Sequence, residues 1–169
     1  MATTKLGVNC KAYRNTGTYG SPTWNEFTEF GDFSVTLDWD TQDVLRRGQR
    51  VKQKVKTLLA LEVKAKHLAI DKPASSDTTD YTALMDAMLS DTAVDVMILN
   101  GDIATSGVRG FRFDAQVSGA SEDQGPGAVL MDDITLTPTP TGNDPKAVLI
   151  VSGTPQYKAL TNDLSASFA

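Results

Sequence analysis

Alternation of apolar and polar residues from Val51 to Lys66 limits the fold more than any other feature of this chain. Val51, Val55, Leu59, Leu61, Val63 and Ala65 take odd positions, while Lys52, Lys54, Lys56, Glu62, Lys64 and Lys66 take even ones. A period of two marks a strand with one buried face, since an amphipathic helix repeats every ~3.6 residues. Drawn out as one strand, the run would reach on the order of 50 Å at ~3.3 Å per residue, well past the usual strand length. Two solutions fit the sequence. Either a bend near Leu58 breaks the run, where Leu58-Leu59 interrupts the polarity, or the first half leaves the core as an arm. Gln53 and Thr57 thin the apolar face of that half.

The same period recurs elsewhere. Leu6, Val8, Cys10 and Ala12 read as a first strand, with Cys10 a small buried hydrophobe. Asn15 to Pro22 reads as a loop and Trp24 to Phe27 as a second strand. Phe33, Val35, Leu37 and Trp39 share one face of a third strand, with Ser34, Thr36, Asp38 and Asp40 on its acidic outer face. A turn-like stretch from Thr41 to Gln49, holding Arg46-Arg47-Gly48, leads into the long run. After a polar link from Asp71 to Thr79, the spacing of Tyr81, Leu84, Met85, Met88 and Leu89 predicts a helix over 81–89. Thr79 or Asp80 would cap it, and its Met and Leu stripe would pack on a sheet.

Val94–Leu99 and Val108–Ser118 read as strands joined by a longer hairpin loop that begins at Asn100-Gly101-Asp102. In the second, Phe111, Phe113, Ala115 and Val117 are expected to face inward, and Arg112, Asp114 and Gln116 outward. Ser121 to Gly127 is a loop, Leu130 to Thr137 a strand with Ile134 and Leu136 inward, and Pro138 to Pro145 a break. Ala147 to Val151 is a short apolar strand, and from Gly153 the sequence is polar and weakly patterned. Many strands, one helix and no βαβ rhythm make the chain mainly β: an antiparallel β-sandwich or barrel with one flanking α-helix and a long projecting β-hairpin. Residues 1–145 are expected to form that domain and 146–169 a C-terminal strand or arm.

Little in the sequence supports catalysis. A single cysteine cannot form an intrachain disulfide, and a single histidine excludes zinc sites built on several histidines. His67, at the end of the lysine-rich run, reads as a surface or edge residue, and no Gly-x-Ser-x-Gly elbow accompanies it. Neither Gly-x-Gly-x-x-Gly nor a phosphate-binding Gly-Lys-Ser/Thr loop occurs. The carboxylate pairs Asp38/Asp40, Glu122/Asp123 and Asp132/Asp133 read as wet strand faces or ends rather than as hydrolytic or calcium-binding groups. No catalytic, cofactor-binding or metal-binding residue is therefore assigned, and the chain is not expected to be an enzyme. Met1 to Lys5 carries no apolar core of signal-peptide length, and no apolar run approaches the ~20 residues of a membrane helix.

Charge is the remaining signal. The 169 residues carry 16 basic and 21 acidic side chains, a net of −5, with a pI near 4.8. That balance argues against a dedicated nucleic-acid binder. Between Asp43 and Lys72, however, nine basic residues stand against three acidic ones, so this segment is +6 and the rest of the chain −11.

The order of these features resembles the tail tube (major tail) proteins of tailed bacteriophages, from about Lys5 to Thr139. The resemblance runs through Gly17-Thr18-Tyr19-Gly20-Ser21-Pro22-Thr23-Trp24 after the first strand, then Ser34–Asp40 passing through Arg-Arg-Gly into the basic strand. It continues with the helix, Val94–Leu99, Asn100-Gly101-Asp102, the Arg109-Gly110-Phe111-Arg112-Phe113 strand and Asp132–Thr137. It implies a β-sandwich whose copies close hexameric rings, stacked into a tube with the inner sheets as a barrel around the DNA channel. The hairpin of Ser34–Asp40 with Val51–Lys66, tipped by Thr41–Arg50, would contact the neighbouring ring. Further implied partners are other tail proteins such as tape measure and terminator, with DNA in transient passage and no membrane. The implied location is the virion, after assembly in the host cytoplasm.

Charge then suggests roles. Head-to-tail contacts need one face to complement another, so Arg46, Arg47, Arg50, Lys52, Lys54 and Lys56 are expected at subunit contacts with the acidic body. A channel must not grip phosphates, so Asp38, Asp40, Asp114, Asp132 and Asp133 are expected to line or border the lumen. The plain alternative makes the lysines a solvated edge that discourages wrong strand pairing. Competing functions are a monomeric ligand-binding β-sandwich, such as a carbohydrate-binding module using Trp24, Trp39 or Tyr19, and the inner tube of a contractile injection system. Aromatic content of 7% is low for sugar stacking. An enzyme built on paired carboxylates is the least supported reading.

Overall fold

Among the described residues, the alternating runs from Phe33 onward are strands, whereas most of the first run, read from Leu6 to Ala12, lies outside those residues. The computed structural model describes residues 10–44, 53–68, 80–123, 131–141, 143–160 and 168, and of 44, 53, 55–58, 122–123 and 131 the backbone alone. In chain order the elements are β1 (Lys11–Asn15), β2 (Trp24–Glu26), β3 (Phe30–Val44), β4 (Gln53–Leu68), α1 (Asp80–Ser90), β5 (Val94–Leu99), β6 (Arg109–Asp123), β7 (Met131–Pro138), β8 (Lys146–Val151) and β9 (Thr154–Ala159). The expected mainly β, antiparallel fold with one helix and one long hairpin is present. All nine strands join one sheet in the order β2-β1-β5-β6-β7-β4-β3, with β8 and β9 branching from β6.

The sheet forks at β6. Its Gly110–Ala115 stretch pairs with β5 along one edge. Along the other edge Arg109–Arg112 pairs with β8, and Ala115–Asp123 with β7. Fifteen residues give β6 the length to serve two partners in succession.

From Gln53 onward the long alternating run is a single strand, β4, that a bulge divides. Trp39 pairs with Leu59 but Thr41 with Lys56, so β4 spends one extra residue at Thr57–Leu58, the place where the polarity lapses. A bulge adds local twist and moves every later residue to the opposite face. Lys64 pairs with Ser34 on one face of the hairpin, whereas Lys54 pairs with Asp43 on the other. The even-numbered lysines therefore do not form one stripe.

Each sheet face carries a core. Ala12, Val96, Ile98, Phe113, Ala115, Val117, Val63, Ile134 and Leu136 pack with Leu84 of α1. The opposite face buries Tyr13, Met97, Leu99, Val108, Val148 and Ile150, with Trp24, Ile103 and Tyr157 against them. The helix starts at Asp80, whose carboxylate complements the dipole and meets Arg14 at 3.3 Å. It ends where Asp91 takes φ 52° and Thr92 N–H donates to the Ala87 carbonyl. The weakly patterned C-terminal stretch is β9, joined to β8 by Ser152-Gly153. Both turn residues have positive φ, 50° and 76°, the backbone of a two-residue hairpin turn matched to strand twist.

Several expectations are overturned by burial. Cys10 is exposed rather than buried. Met88 and Leu89, assigned to the packed helix stripe, are 41% and 86% exposed. Arg112 and Asp114, expected outward, are buried, Arg112 against Trp24 and Tyr157 of the second core and Asp114 beside Thr139, Thr141 and Asn143. His67 is buried too: position 67 continues the inward series Val63, Ala65. Leu6, Val8 and Thr79 lie outside the described residues.

Candidate assembly surfaces

Three features could carry function: a polar four-stranded face, the ends of the sheet that bears it, and scattered exposed apolar groups. The C-terminal half of β6, with β7, β4 and β3, forms a four-stranded antiparallel ribbon. One of its faces is the α1 core. The other presents Ser34, Thr36 and Asp38 from β3, Glu62, Lys64 and Lys66 from β4, and Asp133 and Thr135 from β7. Its two lysines lie near acids, Lys64 at 3.4 Å from Glu62 and Lys66 at 3.9 Å from Asp133. Short hydroxyls and paired charges make this face wet, with a depression of about 430 Å³ between Ser34, Lys64, Lys66, Asp133 and Thr135.

The ribbon ends in a long strand on either side. β3 closes the strand order, and beyond Ala115 β6 continues to Asp123 with β7 alone beside it among the described residues. Such edges are templates for further strand pairing. Nearby, Leu37 (42% exposed) stands on the apolar face of β3, and Met88 and Leu89 stand at the end of α1, which packs on β6.

The expected site residues separate. Asp38, Asp40 and Asp133 are exposed on the ribbon, and Asp38 Oδ1 accepts a hydrogen bond from Trp39 N–H at 2.8 Å. Asp114 and Asp132, by contrast, are buried within their own chain. Asp114 accepts hydrogen bonds from Thr141 Oγ1 and, at 2.8 Å, from Asn143 Nδ2. Asp132 Oδ2 lies 3.0 Å from His67 Nδ1, while His67 Nε2 faces buried Glu29 at 3.5 Å. The imidazole stacks on Tyr81 of α1 with centroids 4.4 Å apart. This polar knot ties helix to sheet, and it was readable from the inward parity of residue 67. Lys54 is exposed in register with Asp43. Lys56 is placed only by its pairing with Thr41, and Arg46, Arg47, Arg50 and Lys52 lie outside the described residues.

The second core surrounds a cation. Arg112 donates from Nε and Nη2 to Asp95 at 3.0 and 2.6 Å, and from Nη2 to the Tyr19 carbonyl at 2.8 Å. Its guanidinium carbon lies 3.9 Å from the Tyr19 ring centroid and 5.0 Å from those of Trp24 and Tyr157. The paired carboxylate keeps this guanidinium charged against the opposing effect of burial. Tyr19 and Trp24, the candidate sugar-stacking rings, are thus engaged inside the chain.

No group of three or more His, Cys, Asp or Glu is disposed to hold a metal ion among the described residues. Among those residues no helix is long and apolar enough to cross a membrane.

No protein-family model matches the chain, and no curated protein matches it by sequence. Solved structures do. The chain is similar to the SPP1 tail tube at a TM-score of 0.59 and 10% identity, over 78% of this chain and 74% of that one. It is similar to a chain in the C6-symmetric tail of a gene transfer agent particle at 0.57 and 9%, over 82% and 95%. A chain in the sheath–tube complex of an extracellular contractile injection system matches at 0.53 and 12%, over 77% and 84%. The fold is that of the tail tube proteins.

Proposed function

We propose that the chain is a structural, non-enzymatic subunit of a bacteriophage tail tube, self-assembling into stacked hexameric rings that form a channel for DNA passage. The observation that carries this reading is the four-stranded ribbon, which combines two terminal edges with a largely polar face. Pairing β3 of one copy with the Gln116–Asp123 stretch of β6 of the next extends the sheet. Repeated head to tail around a closing rotation, it yields a ring without edges.

On this reading the polar ribbon faces the lumen, with Asp38, Asp40 and Asp133 repelling phosphate and Lys64 and Lys66 beside acids. Counterion release, the source of DNA grip, is then weak. The +6 segment supplies contacts between subunits through Arg46, Arg47, Arg50, Lys52, Lys54 and Lys56. Tape measure and terminator proteins are the further partners, the virion tail is the location, and assembly takes place in host cytoplasm.

Negative-stain microscopy and size-exclusion chromatography of the purified chain test the reading. Rings or tubes support it; a monomer that persists at every concentration rejects it for a monomeric binding module. The triple reversal Lys52→Glu, Lys54→Glu, Lys56→Glu tests the basic segment, since unchanged low-salt assembly would remove it from the interface. Similarity to the sheath–tube complex favours one second reading, the inner tube of a contractile injection system. Binding of a sheath subunit to the tube would select it.

A further inference from the structure

The first core is incompletely covered. Beyond α1, the apolar side of β3 stays open at Leu37 and runs into a groove of about 370 Å³. Phe33, Val35, Ile98, Phe111 and, from the C-terminal stretch, the chain's own Phe168 line that groove, and exposed Arg109 stands at its rim. Farther along β6, near Gln116, α1 ends in the opposite feature. Met88 and Leu89 protrude into solvent, and Leu89 at 86% exposure touches little of its own chain.

We propose that Met88 and Leu89 of one copy dock on the open apolar side of β3 of the next copy, over Leu37 and toward the groove. The inference rests on the ring reading, and three observations select a second copy as the occupant. The first is continuity. Gln116, where β6 leaves β5, donates from Nε2 to Asp91 Oδ1 at 3.1 Å, so the end of α1 sits at the very edge that would receive the next copy's β3. A sheet keeps its faces across a new strand pair, so the helix side of one copy continues into the Phe33–Val35–Leu37 side of its neighbour. The second is chemistry: two exposed aliphatic side chains meet an exposed aliphatic and aromatic surface. The third is charge. The last turn of α1 holds no basic residue, and Asp86 and Asp91 flank its negative end, whereas the groove is rimmed by Arg109. Knob and groove lie on different parts of one chain, so the contact is heterologous and repeats around a ring.

Two single-cysteine chains test this, each in a Cys10→Ser background: Leu89→Cys and Leu37→Cys. Both substituted leucines are exposed, so both chains are expected to fold. Mixed, assembled and treated with a short bismaleimide, they should give the mixed dimer well above either like dimer. Tubes of wild-type appearance with no excess of the mixed dimer would overturn the docking and leave the tube reading intact. A wild-type chain that never assembles would overturn both. In parallel, Leu89→Asp should raise the concentration needed for assembly by roughly tenfold, the worth of one partly buried leucine. An unchanged threshold would count against the contact.

Discussion

Arg112 and Asp95 form a two-pronged ion pair inside the second core, with side chains only 3% and 11% exposed. Asn15 Nδ2 adds a third hydrogen bond to the same carboxylate at 2.8 Å, and three aromatic rings close over the guanidinium. Removing one member strands the other as a buried charge, which costs about 3–5 kcal/mol. Arg112→Ala and Asp95→Ala are each expected to lower the unfolding free energy of the unassembled chain, measured by urea titration, by that order. Arg112→Lys should recover only part, because an ammonium cannot reproduce the fork or the ring stacking. An unfolding free energy within ~0.5 kcal/mol of wild type for Arg112→Ala would show that the pair is structurally dispensable.

Gly110 is required by close approach. A Cβ built there falls 1.8 Å from the Ile98 carbonyl oxygen and 2.9 Å from Leu99 Cα, both backbone atoms that a rotamer change cannot move. Gly110→Ala must therefore separate β6 from β5 at the centre of the fork, and is expected to cost about 3 kcal/mol or more. Gly119→Ala, on the same strand but with its nearest neighbour at 4.0 Å, serves as the matched control. Equal melting temperatures for the two variants would refute the steric argument.

Alkaline conditions should unfold the chain through groups whose folded values are raised. Burial pushes the phenols of Tyr13 and Tyr157 above the ordinary 10.0. Hydrogen bonds to Asp102 and Glu26 raise the Lys11 ammonium above 10.5. Each then holds its proton more tightly when folded, so the stability it contributes is complete below the ordinary value and disappears as pH climbs through the folded one. Stability is expected to be flat near neutrality and to fall from about pH 10 upward. Ionisation of Tyr13 and Tyr157, followed by ultraviolet difference absorbance, should coincide with unfolding rather than precede it. The Lys11–Asp102 bond also lowers the Asp102 carboxyl below 3.8, so its contribution is lost as pH falls below that value. Asp102→Asn should show a shallower acid limb in the same titration.

Period two places β3, β4, β5, β7 and β8 within a few residues, because each has an inward face to enforce it, whereas it starts β1 too early and ends β6 five residues short. What escaped were features that alternation does not encode. The bulge at Thr57–Leu58 changes the parity of everything before it, so Lys54 and Lys64, both even-numbered, ended on opposite faces. The second core turned Arg112 from a wet-face residue into the centre of an aromatic cage, since a forked sheet buries both sides of β6. A helical stripe gives the spacing of Leu84 and Leu89 but not where the sheet beneath them stops. For His67 and the Ser152-Gly153 turn the signal was present in the sequence, as inward parity and as a turn dipeptide. The candidate surface was legible in part. Three of its five acids proved exposed, and the edges that give it a purpose follow from strand order, which no local pattern records.

The pairing of lysines with acids on the polar ribbon leads to the last prediction. Lys64–Glu62 and Lys66–Asp133 are exposed contacts at 3.4 and 3.9 Å, so each is worth at most about 1 kcal/mol to the fold. Glu62→Gln with Asp133→Asn should therefore leave folding and tube formation intact while exposing two free ammonium groups per subunit. Repeated along a channel, those cations would neutralise phosphates and hold DNA with a steep salt dependence, log K falling by ~0.9 per contact for each tenfold rise in salt. Mixed with short duplexes at low salt, variant tubes are expected to retain DNA that nuclease cannot reach, and wild-type tubes to retain little. Release on raising the salt completes the expected pattern. DNA that binds the variant but remains open to nuclease would place the ribbon on the outside of the tube, and no added binding would mean that the lysines meet no phosphate at all.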